Sequence, residues 1–355
     1  MQQVQTAFLG AGGIAEAHSF AIDALPHFYK QSIKVSKAVV ASRTRASAAS
    51  FAEEHGFKNA VAIDDFWDRD DFETVYILGP NSVHFEHLVR VLEMKHVRRV
   101  YVEKPVCASK NETDELESKC AKMDKLVWGG FQYLQIAAIR EARKRLAKID
   151  LGQPIHFSAS YLHRGYLDKS YREKRLSRLT PSPAGGAMVD LGSHVLSLID
   201  SFLGPELELI GAYKSGGFPD VLPISDLCSF AILREARSAA VGSILASRVS
   251  AGARESIELE IRFERGAFRY SSGQPDVLFW NQSDMNWTEV YCGSDYSPAS
   301  TFPSARVSAG WFRALIHSNH LFLGGHDDTT FRPDIAHGLR VQNLLNDFAE
   351  HVNSK

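Results

Sequence analysis

From Val4 to Gly129 the sequence alternates short apolar runs with amphipathic segments, and this alternation strongly constrains the fold. The apolar runs have the length of strands and are predicted to be buried on both faces. They are Val4 to Leu9, Lys37 to Ser42, Thr74 to Leu78, Arg99 to Glu103 and Leu126 to Gly129. Helices are predicted between them, among them Ser82 to Met94 and Asn111 to Met123, the latter with Asn111 as its N-cap. Such βα units build a parallel sheet whose strand ends share one edge.

After Gly130 the pattern changes to one helix, Ile136 to Ile149, followed by alternating segments typical of an antiparallel sheet. The predicted strands are Ile155 to Tyr161, Glu206 to Tyr213, Leu227 to Leu233, Ala239 to Ser247, Ser256 to Phe263, Ala267 to Tyr270 and Val277 to Trp280, and two closing helices are predicted at Val307 to Leu323 and Asp334 to Val352. A chain of 355 residues exceeds one ordinary core. We therefore predict an α/β domain over 1–129 and an α+β domain with a large, mostly antiparallel open sheet over 130–355.

Composition argues against several classes of partner. The formal net charge is −2, charged residues make up 23% of the chain, and no run of basic residues forms a stripe, so neither nucleic acid nor an anionic membrane is an expected partner. The N-terminus lacks the regions of a signal peptide, and no stretch has the roughly 18 apolar residues of a membrane span. The four cysteines show no C-x-x-C spacing, which suits free thiols in a reducing compartment. We predict a cytoplasmic protein that binds a small molecule.

A glycine-rich turn follows the first predicted strand and opens a helix. Gly10, Gly12, Gly13 and Ile14 lie in this turn, and Ala15 takes its third small position. Backbone amides at a helix N-terminus favour a pyrophosphate, so the turn predicts a dinucleotide site. Glycine-rich turns of this kind also occur without a ligand, and that alternative remains open at this point.

The end of the second strand predicts which dinucleotide binds. An acidic residue there would accept the ribose 2′-hydroxyl of NAD, but this chain has Ser42 and Arg43 instead. A hydroxyl and a guanidinium both suit a 2′-phosphate, so NADP is favoured over NAD. The alternative is that Arg43 and Arg45 only open a solvated helix.

Two more strand ends supply candidate residues. Pro80 and Asn81 follow the third strand of the list above and are expected near the nicotinamide ribose, with His84 on the helix behind them. Glu103 and Lys104 end the next strand and are expected at the cofactor, with Lys104 pointing into the ligand crevice. A Pro-Asn turn is also ordinary N-cap sequence, and a histidine such as His84 often serves packing alone.

Asp190 and His194 are four residues apart after the pair Gly185-Gly186, and on a helix they would share a face. Hydride transfer from an alcohol needs a group that takes the hydroxyl proton and another that stabilises the developing alkoxide. His194 suits the first role, Lys104 suits the second, and Asp190 can orient the imidazole. Alternatively, Asp190 is a helix cap, His194 a core residue and Lys104 a surface cation. Combined with the dinucleotide turn, the set indicates an oxidoreductase.

The order of these motifs resembles the Gfo/Idh/MocA family of NAD(P)-dependent oxidoreductases. The resemblance rests on the glycine turn at Gly10, Pro-Asn-x-x-His at Pro80, Glu-Lys-Pro at Glu103 and the glycine block ending at His194. It implies an N-terminal Rossmann domain, a C-terminal open sheet that forms a homo-oligomer, a dimer or tetramer, and catalytic roles for Lys104, Asp190 and His194. The implied substrates are sugars, polyols, inositols or related carbonyl compounds. Two alternatives remain: a redox-assisted NAD-dependent glycosidase or epimerase, and a non-catalytic ligand-sensing relative.

The chain also departs from the family pattern. Members commonly carry an arginine in G-F-x-x-R-F, where this chain has Leu134 followed by Gln135. The segment from Tyr161 to Arg172 is rich in hydrogen-bonding groups, so His163, Tyr166 and Arg172 are predicted to bind substrate together with Lys104, Asp190 and His194. A flexible, solvated loop would have a similar sequence. No metal site is predicted from the cluster of His317, His320, His326, Asp327 and Asp328, which lacks a convergent ligand set.

Overall fold

A computed structural model describes residues 2–29, 33–175, 179, 185–222, 224–282, 285–293, 310–325 and 331–353. Within these ranges the chain forms two compact units. The first contains the described residues of Met1–Cys107, Asp114–Gln135 and Ser294–Gly338, and the second those of Ala108–Thr113, Ile136–Gly293 and Leu339–Lys355. Each unit has its own sheet.

The sheet of the first unit has six strands in the order β3-β2-β1-β4-β5-β6, and every pairing is parallel. The strands are β1 (Gln2–Leu9), β2 (Ile33–Ser42), β3 (Asn59–Ala62), β4 (Thr74–Ile77), β5 (Arg99–Val102) and β6 (Leu126–Gly129). The strand order reverses between β1 and β4, which makes this gap the topological switch point where such sheets bind dinucleotides. The predicted α/β Rossmann fold is confirmed.

The sheet of the second unit has eight strands in the order β14-β13-β12-β11-β7-β10-β9-β8. They are β7 (Pro154–Leu162), β8 (Leu207–Ser215), β9 (Cys228–Glu235), β10 (Val241–Ser247), β11 (Ser256–Phe263), β12 (Gly266–Ser271), β13 (Val277–Gln282) and β14 (Thr288–Tyr291). Only the pairing of β7 with β10 is parallel among these described strands, so the predicted large, mostly antiparallel sheet is confirmed.

The described helices connect and cover these strands. They are α1 (Gly13–Phe28), α2 (Arg45–His55), α3 (Ile63–Phe66), α4 (His84–Glu93), α5 (Lys110–Cys120), α6 (Ala137–Leu146), α7 (Lys169–Glu173), α8 (Ser193–Leu203), α9 (Gly310–Phe322) and α10 (Ile335–Asn353). The prediction that Asn111 caps α5 is wrong, because the helix begins one residue earlier and Ser109 Oγ accepts the Glu112 N–H at 3.4 Å. None of the described helices is long and apolar enough to cross a membrane.

Helix α9 completes the core of the first unit. The ring of Phe322 packs edge-on against Tyr76 and Tyr101, at centroid distances of 5.2 and 5.4 Å. Tyr76 in turn packs against Phe8 of β1 at 4.9 Å. A segment from late in the sequence therefore closes the apolar face of the parallel sheet. Aromatic burial of this kind contributes strongly to core stability.

One face of the second sheet is covered and the other is open. Helix α8 packs on β7 and β11, and α6 packs on β12 and β13. On the opposite face Tyr213, Phe230 and Leu245 are neighbours across three strands, and Tyr213 is 62% exposed. Beside them, β7 and β11 present serine and glutamate on the same face, at Ser160 and Glu258. The open face thus combines an apolar patch on β8, β9 and β10 with a polar remainder.

His87 on α4 makes the first unit sensitive to acid. Its ring is buried against Trp67 with the centroids 5.7 Å apart, and burial lowers the pKa of His87 to about 4. Between that value and the unfolded pKa near 6.5, the unfolded chain binds a proton that the folded chain does not, so stability falls as the pH falls. We expect His87→Gln to remove about 1 kcal/mol of the stability lost between pH 7 and pH 5, after allowance for solvent screening.

Urea unfolding at the two pH values measures this difference. The same exchange at the exposed His27 is the control, because it changes the number of histidines without opening the contact with Trp67. An equal loss of stability on acidification in wild type and His87→Gln would show that burial of this ring does not set the acid sensitivity.

Candidate active site

Gly10 directly follows β1, at the switch point of the first sheet. It has a φ of +127°, which favours glycine, and its N–H donates to Ala41 O at 2.9 Å. A Cβ at this position would lie 2.6 Å from the carbonyl carbon and oxygen of Leu78, which follows β4. The close approach of the two backbones therefore requires glycine here whether or not a ligand is bound.

Gly12 and Gly13 are in a different situation, because a Cβ at either position would meet nothing within 4 Å. Helix α1 begins at Gly13, and Gly12 caps it without a side chain. Ile14 follows, half-buried against the core of the unit. The backbone at the start of this 16-residue helix thus has open space beside both glycines. Their arrangement fits a dinucleotide pyrophosphate.

The end of β2 carries polar and basic groups. Ser42 is the last residue of the strand and is half-buried, and Arg43 after it is exposed. The N-cap of α2 is Thr44, which accepts the Ser47 N–H at 3.3 Å. Arg43 lies before the cap and does not serve as the cap. Both predicted contacts with the adenosine ribose are therefore accessible side chains.

His84 supports the loops after β4 and β5. Its Nδ1 is 2.7 Å from Pro105 O and its Nε2 is 2.9 Å from Gly79 O, and the side chain is buried. Burial lowers the pKa of His84, and the two carbonyl groups oppose that shift. Because both ring nitrogens face backbone carbonyls, the expectation of direct cofactor contact is corrected to a supporting role. Pro80 is exposed and Asn81 opens a short 3-10 turn in the loop above it.

Glu103 is held in a buried network rather than facing a ligand. It is 4% exposed, its Oε1 lies 3.0 Å from His18 Nε2, and its Oε2 accepts the Lys104 N–H at 3.2 Å. His18 Nδ1 is 3.2 Å from the amide nitrogen of Asn319 on α9. A Cβ on Gly130 would lie 2.8 Å from the carboxylate. The carboxylate therefore fixes the peptide of Lys104, and the contact of Glu103 with the cofactor stays a prediction.

In the second unit, Asp190 lies on a π-helical turn, Met188–Gly192, that leads directly into α8. Gly186 precedes it with a φ of +92°, and a Cβ there would lie 2.6 Å from Asp226 Oδ2. The same oxygen accepts the Met188 N–H at 3.0 Å. Asp226 therefore shapes the turn, and Gly192 rather than Asp190 occupies the N-cap of α8. Single π-helical turns are frequent at functional sites.

The Asp190 carboxylate is paired with an arginine. Arg248 Nη2 lies 2.7 Å from Asp190 Oδ2, and the guanidinium sits 4.8 Å from the ring centroid of Tyr166. His194, four residues after Asp190, is buried on α8 with its ring 5.9 Å from that of Tyr161. The Tyr161 hydroxyl donates to Glu255 Oε2 at 2.6 Å. Asp190 and His194 thus lie in a part of the second unit that also contains the charged side chains of Arg248 and Glu255.

Three predicted substrate contacts from the segment after β7 have different surroundings. His163 Nδ1 accepts the Gly165 N–H at 3.0 Å, and burial lowers the pKa of His163, which favours the neutral ring with its proton on Nε2. Tyr166 is buried. Arg172 is 4% exposed, donates to Tyr166 O at 2.7 Å and donates through Nη2 to both carboxylate oxygens of Asp220. Arg172 therefore holds the segment in place, and the contacts of Tyr166 and Arg172 with substrate stay predictions.

The histidines of α9 serve packing. The Tyr29 hydroxyl accepts from Arg313 Nη1 at 2.6 Å and lies 2.6 Å from His317 Nδ1, while the ring of His320 stacks on Tyr29 with the centroids 3.8 Å apart. Among the residues that the structure describes, no group of three or more histidine, cysteine or acidic side chains could hold a metal ion. His326, Asp327 and Asp328 lie outside the described residues.

Comparisons with known proteins agree with this organisation. Residues 4–131 match the model of the oxidoreductase family with an NAD-binding Rossmann fold, and residues 139–269 match the GFO/IDH/MocA C-terminal domain. Levoglucosan dehydrogenase from Pseudarthrobacter phenanthrenivorans is 27% identical over 378 residues, which cover 96% of this chain and 94% of that protein. The scyllo-inositol 2-dehydrogenase (NADP(+)) of Bacillus subtilis is 28% identical over 177 residues, 49% of this chain and 51% of that protein.

Solved structures of levoglucosan dehydrogenase, with NADH alone and with NADH and levoglucosan, have the same fold. Each superposes with a TM-score of 0.87 at 23% identity and covers 99% of this chain and 98% of the other. The family resemblance inferred from the four motifs is confirmed.

Sequence reasoning missed several residues that hold the site together. Arg248 directly follows β10, so it carries the same signal, a charged residue after an apolar strand, that singled out Lys104. His18 lies four residues after Ile14 on the helix of the glycine turn. Asn319 and Asp226 carry no local signal, because only the folded chain brings them to their partners.

The two glycine environments predict opposite effects of adding a methyl group. Gly10→Ala would collide with the Leu78 backbone and should destabilise the protein without ligand by several degrees in Tm. Gly12→Ala meets open space in the protein alone, so its Tm should change little, whereas it would occupy the position expected for the pyrophosphate and weaken dinucleotide binding at least about tenfold.

Thermal unfolding without ligand and fluorescence titration with NADPH and NADH measure the two effects. If Gly12→Ala bound both dinucleotides as tightly as wild type, this turn would not be the pyrophosphate site. A Gly10→Ala protein as stable as wild type would contradict the role assigned to the Leu78 contact.

Proposed function

Because this chain belongs to the Gfo/Idh/MocA family of NAD(P)-dependent oxidoreductases, which act on CH–OH groups, we propose that its substrate is a sugar, polyol, inositol or related carbonyl compound. A hydride is exchanged between the nicotinamide and a carbinol or carbonyl carbon of that substrate. One observation carries the proposal: the open helix N-terminus at Gly12 and Gly13 and the strand-end Lys104 belong to one parallel sheet, whose strand ends form the ligand edge.

Different groups of the chain would bind different parts of the dinucleotide. The backbone at Gly10, Gly12, Gly13 and Ile14 would hold the pyrophosphate, and the loop of Pro80 and Asn81 would contact the nicotinamide ribose. When bound, the nicotinamide supplies the hydride acceptor or donor. Glu103 and His84 keep the loops beside it in place through the contacts described above.

Lys104, Asp190 and His194 carry the proton chemistry in this proposal. In the oxidation direction His194 accepts the proton of the substrate hydroxyl, and in the reduction direction it returns one. The Lys104 ammonium donates a hydrogen bond to the same oxygen and stabilises the negative charge that develops on it. Asp190 accepts a hydrogen bond from a substrate hydroxyl or from the imidazole and thereby orients the reacting groups.

A ring compound with several hydroxyls fits the remaining groups. His163 with its proton on Nε2 is a hydrogen-bond donor, and Asp190 is an acceptor. The names of the relatives, a levoglucosan and a scyllo-inositol dehydrogenase, support this class of substrate.

A substrate screen tests the function. Levoglucosan, scyllo-inositol, other inositols, aldoses and keto-sugars are each incubated with NADP and with NAD, and absorbance of the reduced nicotinamide is followed. We expect at least one compound to be oxidised, and we expect Lys104→Met to lower kcat at least about 100-fold because charge stabilisation at the oxygen is lost. Lys119→Met, on α5 where the half-buried lysine lies 3.7 Å from Glu93, is the matched control and should retain the wild-type rate.

Other outcomes identify the alternatives. Cleavage of a glycoside, or epimerisation, without net change at the nicotinamide band would indicate that the cofactor is recycled within one turnover. Binding of sugars without turnover by the chain would indicate a ligand-sensing protein. A Lys104→Met protein with near-normal rates would contradict the proposed mechanism.

We further propose that NADP is preferred to NAD. The end of β2 lacks the carboxylate that would repel a 2′-phosphate, and Ser42 with the exposed Arg43 can bind one. The scyllo-inositol dehydrogenase named above uses NADP(+), which supports the preference, although levoglucosan dehydrogenase was solved with NADH. The screen includes both cofactors, and a tighter Kd for NADH than for NADPH would contradict the proposal.

We assign dinucleotide binding to residues 1–129 and substrate binding and self-association to residues 130–355, and we place the protein in the cytoplasm on the basis of its scattered cysteines. The open face of the second sheet is the proposed contact between copies. Tyr213, Phe230 and Val241 are exposed on it at 62%, 37% and 43%, more than isolated apolar residues would explain.

Light scattering tests the self-association. We expect a dimer or tetramer for the wild type and a smaller species for Phe230→Glu, because a charge at the centre of the patch would lose its hydration on association. Met285→Glu, an equally polar exchange at a residue that is 96% exposed between β13 and β14, should keep the wild-type mass. A monomeric wild type would contradict the proposal.

A further inference from the structure

Two buried arginines of the second unit form ion pairs with aspartates, and only one of these aspartates is a candidate catalytic residue. Arg172 pairs with Asp220, and Arg248 pairs with Asp190. The Arg172 pair closes the segment after β7, as described above. The Arg248 pair reaches the turn that carries the proton chemistry. This difference separates a structural pair from one with a functional consequence.

Arg248 is 1% exposed, whereas the Asp190 side chain is 30% exposed. The guanidinium is therefore too deeply buried to touch a substrate. Its Nη2 lies 2.7 Å from Oδ2 of the Asp190 carboxylate. The carboxylate remains partly open to solvent on its other side. Any effect of Arg248 on the reaction must act through Asp190.

Arg248 is held through both its side chain and its backbone. Its cation lies 4.8 Å from the centroid of the Tyr166 ring, and its backbone O accepts the Tyr166 N–H at 3.1 Å. Its own N–H donates to Leu227 O at 2.9 Å, directly after Asp226, the residue that shapes the π-helical turn. A planar guanidinium held in this way gives its carboxylate partner a defined orientation.

We propose that Arg248 is the positioning residue of Asp190: it fixes the direction of the carboxylate and keeps it ionised for the reaction. The inference rests on the proposed function, because it takes Asp190 as catalytic. His163, His194, Asp226 and Glu255 are other titratable groups near the pair. His163 interacts electrostatically with Asp190, Arg248 and Glu255, so any pH profile measured here includes its contribution.

A double-mutant cycle tests the inference on the full chain, with the compound oxidised fastest in the screen as substrate. Arg248→Met should lower kcat about 10- to 100-fold with a smaller change in KM, because a carboxylate displaced by about 1 Å loses that much rate. Asp190→Asn should lose more. The variant that combines both exchanges should be no slower than Asp190→Asn alone, because Arg248 then has no carboxylate to position.

Arg340→Met is the control, since it removes an arginine that pairs at 2.8 Å with the buried, non-catalytic Asp200 and that no prediction places at the site. It should lower Tm and leave the shape of the pH profile unchanged, whereas Arg248→Met should move the acidic limb of kcat to higher pH. If Arg248→Met does not fold, Arg248→Lys keeps the charge and lacks the planar fork, and an intermediate kcat is expected.

Three results would overturn the inference. They are a kcat of Arg248→Met equal to that of Arg340→Met, losses that multiply in the combined variant, and a full rate in Arg248→Lys. If Asp190→Asn retains wild-type activity or the screen finds no substrate, the proposed function fails instead. Titration of the aspartate carboxyl carbons by NMR then decides the positioning alone: the midpoint of Asp190 should lie at higher pH in Arg248→Met than in wild type, and an unchanged midpoint would contradict it.

Discussion

The hydrogen bonds of the Glu103 carboxylate connect most of the first unit. One oxygen meets His18 of α1 and the other accepts the N–H of Lys104, while Asn319 of α9 meets the far side of the imidazole. A buried carboxylate is costly unless it is paired and hydrogen-bonded, and removal of one partner from such a pair costs about 3–5 kcal/mol. The helix of the glycine turn, the strand end with the lysine and α9 are therefore held together by one polar cluster.

The parallel sheet was predictable from the sequence because strands buried on both faces appear as apolar runs. The two strands that prediction missed, β3 (Asn59–Ala62) and β14 (Thr288–Tyr291), are four-residue strands at the edges of their sheets. β14 is mostly exposed and carries few of the apolar residues by which a strand is recognised. The place of α9 was equally hidden, because its sequence predicts a helix and an apolar face but not which sheet that face covers.

Candidate residues could be chosen from the sequence, but their partners within the protein could not. Spacing and strand ends singled out Lys104, Asp190 and His194 as candidates, whereas the hydrogen bonds that His84, Glu103 and Arg172 make within the protein were not predicted. A sequence shows how many hydrogen bonds a side chain can form and not where its partners lie. For Glu103 the partner is 85 residues away, and for Arg172 it is 48 residues away.

Lys104 and Arg248 show why a strand-end charge has two possible fates. Arg248 directly follows a buried strand, and Lys104 is the second residue after one. Lys104 is nevertheless half-buried, whereas Arg248 is 1% exposed. In an all-parallel sheet the chain leaves each strand at the ligand edge, so a charge there is available to a substrate. β10 lies in a mixed sheet, and the chain after it packs against Tyr166 and the turn of Asp190. The same local pattern thus gives a half-buried lysine at the strand-end edge of one sheet and the buried partner of a neighbouring carboxylate in the other.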